Sequence, residues 1–232
     1  MSIFNKLTKK RFKEYVDIIE WVNYTSENLI WLFPCYKTEI KYGAELTVSN
    51  TQVAVLISNG ELADVFQPGK YKLTVENMPQ LSNMRKWKQG YNAPFKADIL
   101  FVNTKDYWNI RWETKEPVLM DHPQFGAIKV KASGIYSFRV HPNPIPFIRK
   151  FTDKNNKINA EGVSEQLQDF VAERFIDYLS ISKINIVELS TSLKEFSSEL
   201  TIALKIDFSY YGLVLTKFSI KNIMLPEWLF IN

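Results

Sequence analysis

Apolar and charged positions at the start of the chain follow the period of an α-helix. At 100° per residue, one broad face of residues 3–22 collects Ile3, Phe4, Leu7, Phe12, Tyr15, Ile18, Ile19 and Val22. The opposite face carries Lys6, Lys9, Lys10, Lys13, Asp17 and Glu20. Arg11 falls within the apolar arc, from which its long side chain can reach outward. The pattern predicts an amphipathic N-terminal helix, which we assign to residues 1–24.

From about residue 28 the apolar positions alternate with a period of two, which is typical of strands with one buried face. Asn59-Gly60 and Pro68-Gly69 lie between apolar runs and predict tight turns. The longest alternating run covers residues 128–140, and Gly134 at its middle indicates a bend or a bulge. We therefore expect mainly antiparallel strands over residues 28–140.

After residue 146 the pattern becomes helical again. A 3.6-residue period marks a first long helix through Val163 and Leu179, and Ser192-Leu193-Lys194-Glu195 has the spacing of a capping box at the start of a second. Gly212 is placed to end this second helix, and a last strand is expected over residues 213–223. Strands and helices are thus segregated along the chain, which favours an α+β fold over a doubly wound sheet.

The distribution of positive charge adds a functional hypothesis. The formal net charge of the 232 residues is +4, too small to argue for nucleic acid, but basic residues crowd positions 6–13. A lysine-rich face opposite Phe4 and Phe12 is typical of a helix that lies on an anionic lipid surface. No run approaches the roughly 18 consecutive apolar residues of a membrane span. The alternative is that this helix packs on its own domain, as most amphipathic helices do.

Residues with catalytic or ligand-binding chemistry are sparse. His122 and His141 both lie beside prolines, where an exposed turn histidine is expected more often than a catalytic one. Cys35 is the single cysteine, follows an apolar run and is expected to be buried and inert. The basic segment Arg85-Lys86-Trp87-Lys88 is interpreted as a solvated loop rather than a nucleic-acid surface. We therefore predict no catalytic, cofactor-binding or metal-binding residues and no enzyme activity.

Several motifs occur in an order that points to one family. They lie at residues 43–55, 60–74, 87–97, 134–140 and 212–218, and Ile19-Glu20-Trp21 precedes them. Together they resemble the SPFH superfamily (band 7: stomatin, prohibitin and flotillin), and within it the bacterial virion-core-protein-like branch. The resemblance implies an SPFH domain over residues 25–227, with antiparallel strands, packed helices and no catalytic residues. Members of that branch continue into a long helix and a zinc ribbon, which residues 228–232 are expected to lack.

The resemblance also implies a function. We expect a non-enzymatic scaffold or adaptor, peripheral to the cytoplasmic face of the cell membrane, that self-associates and recruits scaffold or membrane-remodelling proteins of the phage-shock type. The residues expected to contact anionic lipid are Ile3, Phe4, Leu7, Phe12, Lys6, Lys9, Lys10, Arg11 and Lys13. No cofactor and no nucleic-acid partner are expected. The alternative is a soluble protein- or ligand-binding module whose N-terminal helix packs on its own core.

Overall fold

A computed structural model of the chain describes residues 15–22, 28–35, 38–84, 93–122, 126–151, 160–181 and 186–226. The strands are β1 Tyr15–Glu20, β2 Ile30–Leu32, β3 Glu39–Val48, β4 Gln52–Ser58, β5 Glu61–Phe66, β6 Gly69–Lys72, β7 Asp98–Asn103, β8 Tyr107–Glu113, β9 Val118–His122, β10 Gly126–Val140 and β11 Leu213–Met224. The helices are α1 Pro79–Met84, α2 Ile145–Phe151, α3 Ala160–Ile181 and α4 Ile186–Tyr210. This order of mostly antiparallel strands and later helices confirms the α+β class.

Contacts between residues divide the chain into two compact units. The first unit takes its described residues from the ranges 1–22, 32–50 and 54–101, and the second from 23–31, 51–53 and 102–232. The domain boundaries at residues 24 and 227 that the sequence indicated stay predictions.

The first unit is built on strands that pair in two ways. β1 runs parallel to β3, and β3 runs antiparallel to β6 on its other side. A further sheet of the chain has the order β2-β7-β4-β5, and the part that lies in the first unit includes the hairpin of residues 54–58 of β4 with β5. Its turn is Asn59-Gly60, where both residues have positive φ angles of 53° and 80°, as a two-residue hairpin turn with the twist of the strands requires. The predicted turn is confirmed.

The predicted N-terminal helix is wrong from Tyr15 onward, because Tyr15–Glu20 is a strand. Its residues pair with β3, for example Ile19 with Leu46. Ile19 is fully buried, whereas Ile18 and Val22 are each 65% exposed, so the four apolar residues 15, 18, 19 and 22 do not share one buried face. The β-branched residues of this short run fit a strand as well as a helix, and the pairing with β3 decides between them. Residues 3–14 of the predicted helix lie outside the described residues.

The second unit consists of a sheet with helices against one face. β10 is central, with β11 along one side and β8 and β9 along the other. The register between β10 and β11 shifts between Ser133 and Gly134, which confirms the predicted irregularity at Gly134. Trp112 stacks on Phe218 at 5.5 Å and packs against Phe175 of α3 at 5.2 Å. These aromatic contacts join the sheet to α3.

The ends of α4 test two further expectations. The helix begins at Ile186, so the predicted start at the Ser192 capping box is wrong, and Ser192 lies within the helix. Ser and Glu at this spacing stabilise a helix start only where the chain enters the helix, and here it enters six residues earlier. The C-terminal end is confirmed, since α4 ends at Tyr210 and Gly212 follows with a φ of 69°.

Candidate functional site

The residues expected to bind lipid lie outside the described part of the chain. They are Ile3, Phe4, Leu7, Phe12, Lys6, Lys9, Lys10, Arg11 and Lys13, and the segment Arg85-Lys86-Trp87-Lys88 also lies outside it. The structure does describe the strand to which the N-terminal segment connects. In and just after β1, Ile19 and Trp21 are buried, and the Trp21 ring lies 6.3 Å from that of Phe101. The first described residues after the N-terminal segment therefore belong to a strand that is fixed by packing.

His141 and Cys35 both form hydrogen bonds to nearby backbone groups. The exposed His141 accepts a hydrogen bond at Nδ1 from the Asn143 backbone N–H at 3.0 Å, and the side chain of His122 is outside the description. Cys35 is buried, and its thiol donates to the Ala97 carbonyl at 3.2 Å. Burial, followed by the nearby Asp98 carboxylate, raises the pKa of the thiol, so Cys35 is protonated at neutral pH. The expected burial of Cys35 is confirmed.

Metal-binding clusters and membrane-spanning helices are both absent from the described residues. No group of three or more His, Cys, Asp or Glu side chains among them is placed to hold a metal ion. Within the same residues, no helix combines the length and the apolar character that a membrane span needs.

The second unit contains a polar groove of about 510 Å³. The strand residues Trp112 and Gly134, together with Lys221 of β11, line one part of it, and Gln168 and Asp169 of α3 line another. Lys115 Nζ contacts Asp169 Oδ2 at 2.6 Å, and this hydrogen bond raises the pKa of the lysine. The groove thus combines charges of both signs in a volume within the usual range of small-molecule sites.

The indole N–H of Trp112, at this groove, is a buried donor without a described acceptor. The indole is 1% exposed, and its Nε1–H finds no hydrogen-bond acceptor among the described residues. A buried donor of this kind is normally satisfied by protein, water or a ligand. The groove was not predictable from the sequence because its walls come from segments far apart in the chain, and Gly134 is the single local signal.

The antiparallel strands and packed helices define an α+β domain, and its family follows from similarity to known proteins. A profile of the SPFH domain-Band 7 family matches residues 30–230, from β2 through β11, so the chain belongs to that family. A relative is the protein YdjI of Bacillus subtilis strain 168, which is 24% identical over 216 residues. The match covers 92% of this chain and 66% of YdjI, so the chain spans just under two thirds of that relative's length.

Proposed function

We propose that the chain is a non-enzymatic scaffold or adaptor domain that organises partner proteins at the cytoplasmic face of a membrane. The observation that carries the proposal is the family match over residues 30–230, because SPFH proteins are in general membrane-associated scaffolds that often self-associate. The proposal places the chain in the virion-core-protein-like branch. The partners it implies are membrane-remodelling proteins of the phage-shock type.

The proposed lipid contact lies in the N-terminal segment. Its basic residues are Lys6, Lys9, Lys10, Arg11 and Lys13, and Ile3, Phe4, Leu7 and Phe12 supply apolar side chains. Each basic residue near an anionic surface contributes about 1 kcal/mol, so the five together contribute several. The apolar side chains add affinity by entering the interfacial region of the bilayer.

Liposome co-sedimentation tests this contact. The wild-type chain is expected to sediment with vesicles that contain phosphatidylglycerol, and added salt should weaken the binding. Phe4→Glu, or Lys9→Glu together with Lys10→Glu, should reduce the bound fraction without changing the melting temperature. If the segment instead packs on its own domain, Phe4→Glu will lower the melting temperature and no vesicle binding will occur at any salt concentration.

Partner recruitment is tested on native membranes. The tagged wild-type chain should co-purify a reproducible set of membrane-associated proteins, identified by mass spectrometry. The matched control is the Phe4→Glu variant, which should lose those partners that require the membrane. Recovery of the same partners with both proteins would contradict recruitment at the membrane surface.

The groove in the second unit favours a second candidate function, a soluble ligand-binding module. Its volume of about 510 Å³ and the unpartnered Trp112 Nε1–H are the observations that support it. Trp112→Phe keeps the aromatic packing but removes the donor. Two results together would favour this second function. A small ligand should raise the melting temperature of the wild type but not that of Trp112→Phe, and the wild type should not bind vesicles.

A further inference from the structure

Residues of β10 alternate between a buried face and a charged face. Ile128, Val130, Ala132, Gly134, Tyr136 and Phe138 are buried on the side of the helices. The residues between them point to the other side of the sheet, as the pleat requires. Lys129 and Arg139 on this outer side are exposed, and Lys131 is half-buried.

The neighbouring strands add basic residues to the same outer face. Residues directly opposite in an antiparallel pair lie on one side of the sheet, and Ile135 pairs with Arg111 of β8 while Ser137 pairs with Lys217 of β11. Lys221 is the extra residue of a bulge beside Asn222 and is exposed, and both Lys221 and Arg111 also line the polar groove described above. We call this surface the basic sheet face, with basic residues Arg111, Lys129, Lys131, Arg139, Lys217 and Lys221.

Within the described part of the chain, these six positive charges are not paired with carboxylates. Glu113, opposite Ser133, is the one acidic group on this face among the side chains that the structure describes. None of the six basic residues forms an ion pair with another described residue. Lys115 and Arg174 of the same unit, by contrast, contact the carboxylates of Asp169 and Asp207.

The helix layer on the other side of the sheet has the opposite charge. Acidic residues of α3 and α4 with described side chains are Glu165, Asp169, Glu173, Asp177, Glu195, Glu199 and Asp207. The basic residues there are Arg174, Lys194 and Lys205. The described side chains of α3 and α4 thus carry a charge opposite to that of the basic sheet face, and an anionic surface would attract the sheet face and repel these two helices.

Three apolar side chains also project from the sheet, and one of them is Met224, which is 51% exposed and pairs with Lys131. Trp108, which is 62% exposed, lies in the bulge of β8 opposite Ser137, and Leu119, which is 65% exposed, pairs with Lys129. Bulges often re-aim a side chain at functional positions. Trp is also enriched where a protein meets the boundary between lipid and water.

We propose that the basic sheet face is a docking surface for an anionic phospholipid bilayer, additional to the N-terminal segment. This inference rests on the proposed membrane function. The charges are spread over residues 129–139, about 34 Å of strand, as a planar anionic surface requires and a pocket for one phosphate does not. Four of the six basic residues are lysines, which are depleted in the cores of protein interfaces but common in lipid-binding clusters.

Vesicle partitioning of the full chain tests the inference. Lys217→Gln with Lys221→Gln should lower the partition coefficient on phosphatidylcholine–phosphatidylglycerol vesicles about thirtyfold, because each lysine near an anionic surface is worth about a factor of five. The matched control is Lys194→Gln with Lys205→Gln on α4, which removes the same net charge from exposed lysines of the helix layer. This control should bind like the wild type, and no protein should bind to phosphatidylcholine alone.

A second pair, Lys129→Gln with Lys131→Gln, repeats the test on another strand, and circular dichroism verifies that each variant is folded. Equal losses in the sheet and control pairs would overturn the inference, since net charge alone would then explain the binding. The inference would also be overturned if both double variants of the sheet face bind vesicles like the wild type while Phe4→Glu loses vesicle binding. That result would leave the proposed function intact. Failure of the wild type to bind any vesicle would overturn both.

Two other partners of the basic sheet face, RNA and a second copy of the chain, would give results different from those expected for a lipid surface. One alternative is that the wild type binds a fluorescent single-stranded RNA more tightly than vesicles and that both double variants of the sheet face abolish RNA binding. The face would then be a nucleic-acid site, and the lipid inference would be wrong. If light scattering shows an oligomer without vesicles that the sheet pairs convert to monomer, the face joins copies of the chain, and the inference is again wrong.

Discussion

The carboxylate of Asp64 is expected to be one of the most sensitive single groups in the first unit. Asp64 lies on β5 and is 6% exposed. Its Oδ1 accepts from the Gln80 N–H and its Oδ2 from the Leu81 N–H, both at 2.9 Å. These are N–H groups of the first turn of α1, which have no partner within the helix. Asp64 therefore caps α1 from a different element and connects the helix to the sheet.

The size of the effect follows from what each substitution leaves unpaired. Asp64→Ala removes both acceptors. The N–H of the buried Leu81 is then left without a hydrogen-bond partner, whereas the N–H of the exposed Gln80 can bond to water. A buried donor without a partner costs about 1–3 kcal/mol, and loss of a helix cap about 1 kcal/mol. We expect Asp64→Ala to lower the free energy of unfolding by about 2–4 kcal/mol. Asp64→Asn retains one acceptor oxygen and should cost roughly half as much.

Urea denaturation measures the global effect, and hydrogen exchange of the Leu81 amide measures the local one. The control is Glu61→Ala on the same strand, an exposed residue that should change stability by less than about 0.5 kcal/mol. If Asp64→Ala is as mild as this control, and the Leu81 amide stays protected, the two hydrogen bonds do not hold α1 in place.

Three further substitutions or measurements probe the cores. Gly134→Ala should lower stability by about 1–3 kcal/mol in thermal melts, because its Cβ would meet the Ser219 carbonyl and lie 2.8 Å from Trp112 Nε1; an unchanged melt would contradict this. Tyr136→Phe should be neutral or stabilising by up to about 1 kcal/mol, since the fully buried hydroxyl has no described partner; a clear loss would reveal one. Cys35, whose thiol pKa is raised by burial, should react with a disulfide reagent only after denaturant is added, and rapid native reaction would refute its burial.

Features set by local backbone chemistry were predicted well from the sequence. Asn59-Gly60 places two residues that tolerate positive φ between apolar runs, so the turn needs no information from elsewhere in the chain. The alternation of β10 is long enough to identify both of its faces, and Gly134 marks the irregularity within it. Gly212 similarly marks the end of α4.

Features that depend on distant pairing were not predictable in this way. Residues 15–20 carry apolar positions that satisfy a helical period, and only the pairing with β3, more than twenty residues later, makes them a strand. The cap of α1 was equally hidden, because Asp64 is sixteen residues from Gln80. The basic sheet face also needs the register, since the bulges in β8 and β11 determine which of their residues share a face with Lys129 and Arg139.

The strand at residues 15–20 changes what lipid binding by the N-terminal segment would do. Lys13 is separated from β1 by Glu14 alone, and β1 is held by the burial of Ile19 and by the packing of Trp21 on Phe101. A membrane-binding segment on a long Gly- and Ser-rich linker would leave its domain free to rotate. Here the segment continues directly from a paired strand, so lipid binding would restrict the orientation of the first unit.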